Sequence, residues 1–493
     1  MEAFTAAQLF WAFVVLAILL IVARAIRQRV SWLRRLFLPS SIIAGALALL
    51  LGPEVLGWVM HQTNREGMAN GLFPGWMPAI WAEVPGLLIN VVFAALLMGK
   101  PIPGLKRIWY YAGPQVCFGQ TLAWGQYVVG IGLTMLVLGP LFDVPPIAGA
   151  LIEISFEGGH GTAGGMGEAF EEAGWAAGQD LALGLATIGL VGGVVIGTIL
   201  INWAARRGTI QPQGDKDVDQ ISISGQDVTE DELAEYRSDR ERENQPTDPL
   251  SLHLGLVAVA IALGWGLLTG LQWIEYTLRT IGETDVSFAD FKGVLTYVPL
   301  FPLAMIGGVL IQWLFDRFGQ SHRISDRLMN RISGAALDFT IVAALGALSL
   351  QAIGEYFMPF LLLALAGIAW CTLAVFILAP RIIPTAWFER GVGDFGQSMG
   401  VTVTGLLLMR VADPANRSGA MESFGYKQLL FEPIVGGGLF TGASIGLIIN
   451  LGAPAVLAIT ACLTIFWIAF GFIAFGRLRV LWHRASRFII HLA

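Results

Sequence analysis

Two stretches gather the residues with which this chain could do chemistry, EGGHGT at 157–162 and GDFGQSMGVTVTG at 393–405. Glycine lets the backbone turn tightly and approach a ligand closely, and Gly158, Gly159, Gly161, Gly393, Gly396 and Gly400 supply that freedom. Half-helices beginning or ending at such turns offer free N–H groups to an anion and free C=O groups to a cation. Thr162, Ser398, Thr402 and Thr404 add hydroxyls, each of which could instead bond a carbonyl of its own helix. Charge comes from Glu157, Asp394 and Asp338. Asp338 stands some six residues into an apolar run, where an ionisable group is costly and by default functional, as a sodium or proton carrier or as the partner of an arginine such as Arg410. Glu153, Glu157 and Glu432 fall nearer the ends of apolar runs, within reach of water. The candidate anion-binding residues are therefore Gly158, Gly159, His160, Gly161, Thr162, Gly396, Ser398, Gly400, Thr402 and Thr404. The candidate sodium ligands are Glu157, Thr162, Asp338 and Asp394.

Other chemistries find little footing. His160 has no HExxH or HxxxH partner, so a transition metal is not expected; a neutral imidazole bracing the turn by hydrogen bonds is. Cys117, Cys371 and Cys462 lie inside apolar runs at no metal-type spacing. No nucleophile elbow or diagnostic acid/base pair is present, which speaks against an enzyme, and no cofactor is implied beyond a coupling ion. Asn90, Gln115, Gln120 and Gln126 place amides in apolar runs, where bridging between helices competes with ligand contact.

The elements that must position these residues are membrane spans. Of 493 residues 55% are hydrophobic and only 13% charged, too apolar for an ordinary water-soluble domain. Eleven apolar runs of spanning length fall at about 7–26, 36–52, 79–99, 111–139, 181–203, 252–274, 296–315, 332–353, 359–379, 428–450 and 452–476. Two half-apolar segments, 147–165 and 387–409, are too broken to face lipid and read as re-entrant hairpins. With the N-terminus outside and the C-terminus inside, 27 of the 30 Lys and Arg residues lie on the cytoplasmic side, leaving Arg65, Arg279 and Lys292 outside. Making either hairpin a full span would destroy this asymmetry. The basic residues track the membrane faces, so no nucleic-acid role is suggested.

The expected fold is an all-α polytopic membrane protein of two five-span repeats in inverted topology, each with a glycine-rich re-entrant hairpin, plus one extra C-terminal span. Residues 1–203 form the first repeat and 251–450 the second; 451–493 hold the extra span and a basic tail. Between the repeats, 204–250 carries 12 acidic and 6 basic residues and reads as a solvated cytoplasmic linker, with a capping-box start at Thr229 and Glu232. Inverted repeats are a common architecture of secondary transporters, with ligand sites near the bilayer midplane.

GGHGT at 158–162 resembles the motif of the bacterial sodium:glutamate symporter family. LPSSIIAGALALLLG at 38–52 is similar to that family's second span, GDFGQSMGVTVTG to its second glycine-rich loop, and EPIVGGGLFTGASIGLIIN at 432–450 to the span that follows. The resemblance covers roughly residues 5–450. It implies a sodium-coupled carrier importing glutamate or a related small carboxylate by alternating access, a homodimer in the bacterial inner membrane whose mobile domain carries the site. By position it assigns the tips to Gly158, Gly159, His160, Gly161 and Thr162 and to Gly393, Gly396, Gly400, Thr402 and Thr404. Glu157 stands where the family commonly has a small polar residue, GVGDFG replaces a Gly-His-Cys-Gly type sequence, Asp338 replaces a serine-like residue, and the eleventh span has no counterpart. Added negative charge would oppose an acidic substrate unless it is protonated or cation-bound. The alternatives are a carrier of the same fold for another organic anion or coupled to protons, and a channel or sensor that has lost coupling.

Overall fold

Thr5 opens the first helix of the computed structural model with a capping box: its backbone N–H donates to Gln8 Oε1 at 2.8 Å while its hydroxyl accepts from Gln8 N. The structure describes residues 4–31, 33, 38–63, 70–100, 105–210, 249–280, 288, 291, 293–414 and 417–476. The short helix expected around Thr229 in the acidic linker, and the basic tail from 477, lie outside the described residues.

The long elements are α1 (Ala6–Arg29), α2 (Ser40–Leu51), α3 (Trp76–Ala95), α4 (Leu105–Leu133, continuing to Phe142), a first broken segment with α5 (Leu151–Phe156), α6 (Gly159–Gly165) and α7 (Gly167–Glu172), then α8 (Ala177–Arg206). After the linker come α9 (Pro249–Arg279), α10 (Phe301–Arg317), α11 (Asp326–Gly346), α12 (Phe357–Ile377), α13 (Trp387–Ala412), α14 (Ala420–Phe431), α15 (Leu439–Leu451) and α16 (Ala453–Gly471). Nine helices among the described residues are long and apolar enough to cross a membrane, against the eleven spans expected. The difference has two causes. Helix α10 has 17 residues, which at 1.5 Å per residue is somewhat short of a full crossing. The run 428–450 is not one helix: α14 begins earlier, at Ala420, and the chain unwinds over 432–438 before α15. Gly436 and Gly437, with φ of 71° and 100°, make that interruption.

Lipid tails give no hydrophobic drive for helices to associate, so close approach of small residues must do it. A Cβ on Gly264 would sit 2.5 Å from Ala304 N, joining α9 to α10; one on Gly308 would sit 2.2 Å from Ala94 O, joining α10 to α3. Gly45 opens α2 to Leu345 of α11 in the same way, and Gly193 and Gly197 open α8 to Met399 and Leu408 of α13. Helices α1, α2, α3, α9, α10 and α11 form one packed set, in which α3 and α11 lie side by side at the centre. Around α4 gather α14, α16 and α12, while α8 holds α5, α6 and α13. The two sequence halves thus interleave rather than form separate lobes.

Both glycine-rich segments fold back on themselves. The first enters along α4, with Gly149 against Ile131 and then Glu153 against Tyr127, and leaves along α8, with His160 beside Thr187 and then Gly164 beside Gln179. Its turn is Glu157–Gly159, where Gly159 has φ +68°. In α13 the reversal is at Gly400 and Val401, which leave helical geometry. The limbs 387–399 and 402–412 then run antiparallel: a Cβ on Gly396 would meet Gly405 Cα at 2.8 Å, and one on Gly405 would meet Gly393 O at 2.4 Å. Three glycines let the limbs touch backbone to backbone. The observed hairpins extend beyond the expected bounds, to 146–172 and 387–412.

Candidate functional site

The two tips meet. A Cβ added at Gly159 would lie 2.3 Å from Val401 Cγ1, and the Ser398 hydroxyl donates a short hydrogen bond to Glu157 Oε1. The unwound stretch 432–438 closes the third side. Its Gly436 N–H donates to Glu153 Oε1 at 2.8 Å, and Thr441, in the first turn of α15, donates its hydroxyl to the same oxygen at 2.9 Å. Tyr127 of α4 donates to Glu153 Oε2 at 2.5 Å. Across the junction, Thr402 donates to Glu432 Oε1 at 3.0 Å and accepts from Gln428 Nε2 at 3.0 Å.

The junction is buried and rich in ionisable groups. Glu153, Glu157, Asp394 and Glu432 are all buried, at 0%, 3%, 0% and 8% exposure, so Glu153, Glu157 and Glu432 are not the water-facing carboxylates their positions in the sequence indicated. One buried ammonium faces them: Lys427 Nζ lies 2.8 Å from Asp394 Oδ1 and 2.7 Å from Gln397 Oε1. Lys427 counts in the sequence as a cytoplasmic loop residue; α14 starts seven residues before it and carries it inward. Several buried oxygens have no hydrogen-bond partner: Glu157 Oε2, Asp394 Oδ2, Thr162 Oγ1, Gln115 Oε1 and Gln126 Oε1. Buried polar groups are ordinarily paired, so a cluster of orphaned acceptors calls for a cation, protons or water.

The expected site residues divide. Gly159, Gly161, Thr162, Gly396, Ser398, Gly400 and Thr404 are buried in the hairpins, Gly158 is half-buried at the first turn, and Thr404 donates to Gly400 O, closing the second tip. His160 Nε2 lies 2.9 Å from Thr187 Oγ1; since that hydroxyl donates to Leu183 O, the imidazole N–H donates to it and ties the first tip to α8. Glu157, Thr162 and Asp394 belong to the cluster, but Asp394 has one oxygen already engaged by Lys427. Asp338 stands apart. It lies on the exposed side of α11 and, among the described residues, neither joins the tip network nor pairs with Arg410; only its neighbour Leu337 reaches the first tip, at Gly161. The helix geometry explains this, because successive residues point about 100° apart and Leu337 takes the inward direction.

Among the amides, Gln126 bonds Ser398 O at 2.7 Å and Gln115 bonds Asp394 Oδ1 at 3.4 Å, so both bridge α4 to the second hairpin. Gln120 bonds Trp124 on its own helix, and Asn90 bonds Gly86 O on its own. Tyr127, Glu153, Lys427, Gln428 and Glu432 are the residues the sequence reading did not place in the site. The glycine-interrupted EPIVGGG at 432–438 was the available signal for Glu432.

Long apolar helices surrounding a buried polar junction define a multi-pass membrane protein. The sodium/glutamate symporter family model matches residues 115–410, and the chain belongs to that family. The match runs from Gln115 on α4 through both hairpin tips and ends before Lys427 and Glu432. The family is one of transporters, in keeping with sodium-coupled transport and with a non-enzymatic role. No curated protein matches the chain.

Proposed function

We propose that the protein imports glutamate or a related small carboxylate together with sodium, by alternating access, as a homodimer in the bacterial inner membrane. The observation that carries this reading is the meeting of two hairpin tips and an unwound helix at four buried carboxylates, two of which, Glu157 and Asp394, keep an oxygen without a hydrogen-bond partner. Coupling follows from charge. Lys427 lies inside the junction while Lys100 acts on Glu432 and Arg390 on Asp394 from its edge, so three cations face four carboxylates and the junction is still negative when all are ionised; two like charges about 4 Å apart repel by about 4 kcal/mol at an effective dielectric of 20. An anionic substrate enters such a site only after cations have neutralised it, so sodium and substrate load together. Thr162 Oγ1, Glu157 Oε2 and Asp394 Oδ2 are the oxygens assigned to sodium, and the N–H groups around the two tips those assigned to the substrate carboxylate.

The packing order supports the inverted repeat: α1 packs on α2 as α9 packs on α10, and α2 reaches α11 as α10 reaches α3. The central α3, α10 and α11 set would be the fixed scaffold, and the hairpin assembly the moving body. Each net positive charge carried inward gains about 2.3 kcal/mol per 100 mV, enough for roughly fifty-fold accumulation.

The test is uptake of labelled glutamate into proteoliposomes under an inward sodium gradient, with potassium as control. Sodium-driven uptake is expected. Equal uptake in potassium overturns the coupling; no uptake by a protein that sodium still stabilises against heat moves the substrate to another carboxylate.

A further inference from the structure

We infer that Lys427 is a tethered cation: its ammonium stands in the ion-binding junction in place of one coupling sodium, and so sets the number of sodium ions the carrier takes up. The inference rests on the sodium-coupled reading above and adds to it a residue that fixes stoichiometry.

The surroundings of Nζ are those of a bound cation rather than of a surface lysine. The side chain is fully buried, with one carboxylate oxygen at 2.8 Å, one amide oxygen at 2.7 Å, and the faces of Phe431 and Phe424 at 4.2 and 4.9 Å from the ring centres. Gln428 Nε2 also donates to Gln397 Oε1, at 3.0 Å, while Gln397 Nε2 donates to Gln428 Oε1, so the Gln397 oxygen is turned toward the ammonium. The path for the stem is cut out of α4 at Gly119, where a Cβ would come within 2.9 Å of Nζ. Asp394 and Gln397 share one face of the first limb of the second hairpin, and Ser398, the next residue, bonds Glu157 on the other tip. The ammonium therefore sits in the network that joins the tips, not beside it.

Charge counting then gives the consequence. Lys427 is the ammonium in contact with Asp394, Arg390 acts on Asp394 and Lys100 on Glu432 from farther out, and Asp394 still leaves Oδ2 unpaired, as Glu157 leaves Oε2. Removing the ammonium while keeping Asp394 leaves one more buried negative charge, which a small cation from solution must answer. Because the ammonium is covalently held, it travels out and back with the protein and contributes nothing to net charge movement over a cycle. Each sodium it replaces is one fewer ion spent per substrate.

The experiment is equilibrium binding of radioactive sodium to purified, monodisperse protein, which needs no knowledge of the substrate. Lys427→Gln should bind one more sodium per chain than wild type. Asp394→Asn, which frees the ammonium to answer another carboxylate, should bind one fewer. The double variant, with both charges removed, should return to the wild-type number. Unchanged numbers in folded Lys427→Gln overturn the inference and leave the lysine a structural tie. Should Lys427→Gln not fold, Asp394→Asn and the double variant decide it, and equal numbers in those two overturn it. A wild type that binds no sodium removes the sodium reading itself, and this inference falls with it; sodium bound by wild type with no change in any variant refutes the inference alone.

Discussion

The contact between the tips can be tested at a single atom. Gly159 has φ +68°, so alanine there carries a left-handed backbone cost of about 1–2 kcal/mol, and its Cβ would stand 2.3 Å from Val401 Cγ1, an overlap of the kind that costs about 1–3 kcal/mol in a packed interior. Gly159→Ala should therefore disfavour the state with joined tips by about 2–5 kcal/mol, at least a thirty-fold loss where that state limits transport. Val401 itself has φ 62° and ψ 175°, a region that β-branched residues avoid. Val401→Gly relieves this strain and also removes the colliding methyl. The double variant Gly159→Ala/Val401→Gly should recover the overlap, about 1–3 kcal/mol, and retain the backbone cost at residue 159. Sodium-driven uptake and thermal unfolding of the two single variants and the double would complete the cycle. Additive losses with no rescue would show that the tips do not press on each other, and wild-type behaviour of Gly159→Ala would remove the first tip from the mechanism.

Three shorter predictions follow from the same geometry. Tyr127→Phe removes the hydroxyl that donates to Glu153 and should cost about 1–3 kcal/mol, read as a lower unfolding temperature; an unchanged transition would mean that water replaces the bond. Glu157→Gln keeps an oxygen for the Ser398 bond but removes the charge, and should raise the sodium concentration for half-maximal uptake by about tenfold or more; unaltered sodium dependence would take Glu157 out of ion binding. Asp338→Asn, outside the network, should leave that concentration within about twofold, and a tenfold shift would return Asp338 to the ion site.

The hairpins were legible because two signals coincided, glycine density in segments too polar for lipid and the parity of basic loops. The break in the second tip could be placed near Gly400 for the same reason, since little else in GDFGQSMGVTVTG admits a reversal. Lys427 was hidden by the same rule used to count cytoplasmic loops: a lysine a residue short of an apolar run counts as a loop cation, and SFGYKQLLF has no sharp helical pattern to say otherwise. The gap at 432–438 was hidden by composition, because Pro433, Ile434, Val435 and the glycines keep the run apolar while the backbone unwinds. Depth in a span says nothing of direction around the helix, which is why the sequence alone could not tell that Asp338 stands away from the two tips. The side-by-side placement of α3 and α11, from opposite halves, leaves no trace in one dimension.

The glycine face of α6 has a mechanical consequence. On its inner side the hairpin assembly is held by directional bonds, among them Glu157 to Ser398, Glu153 to Gly436, and Glu432 to Thr402. Its outer side is different: Gly161, Gly164 and Gly165 lie against Ile89, Pro85, Leu337, Ala344 and Phe301, a seam of bare backbone on hydrocarbon. A hydrogen bond fixes a register, whereas dispersion contacts between smooth surfaces are nearly as good after a slip of a few ångströms. A polar tie, Ser349 N–H to Asp180 Oδ1 at 2.9 Å, sits at one end of this boundary, like a latch on a bearing. If the hairpin assembly moves as proposed, such a seam would keep water out along its travel, and friction rather than leakage would then set the pace.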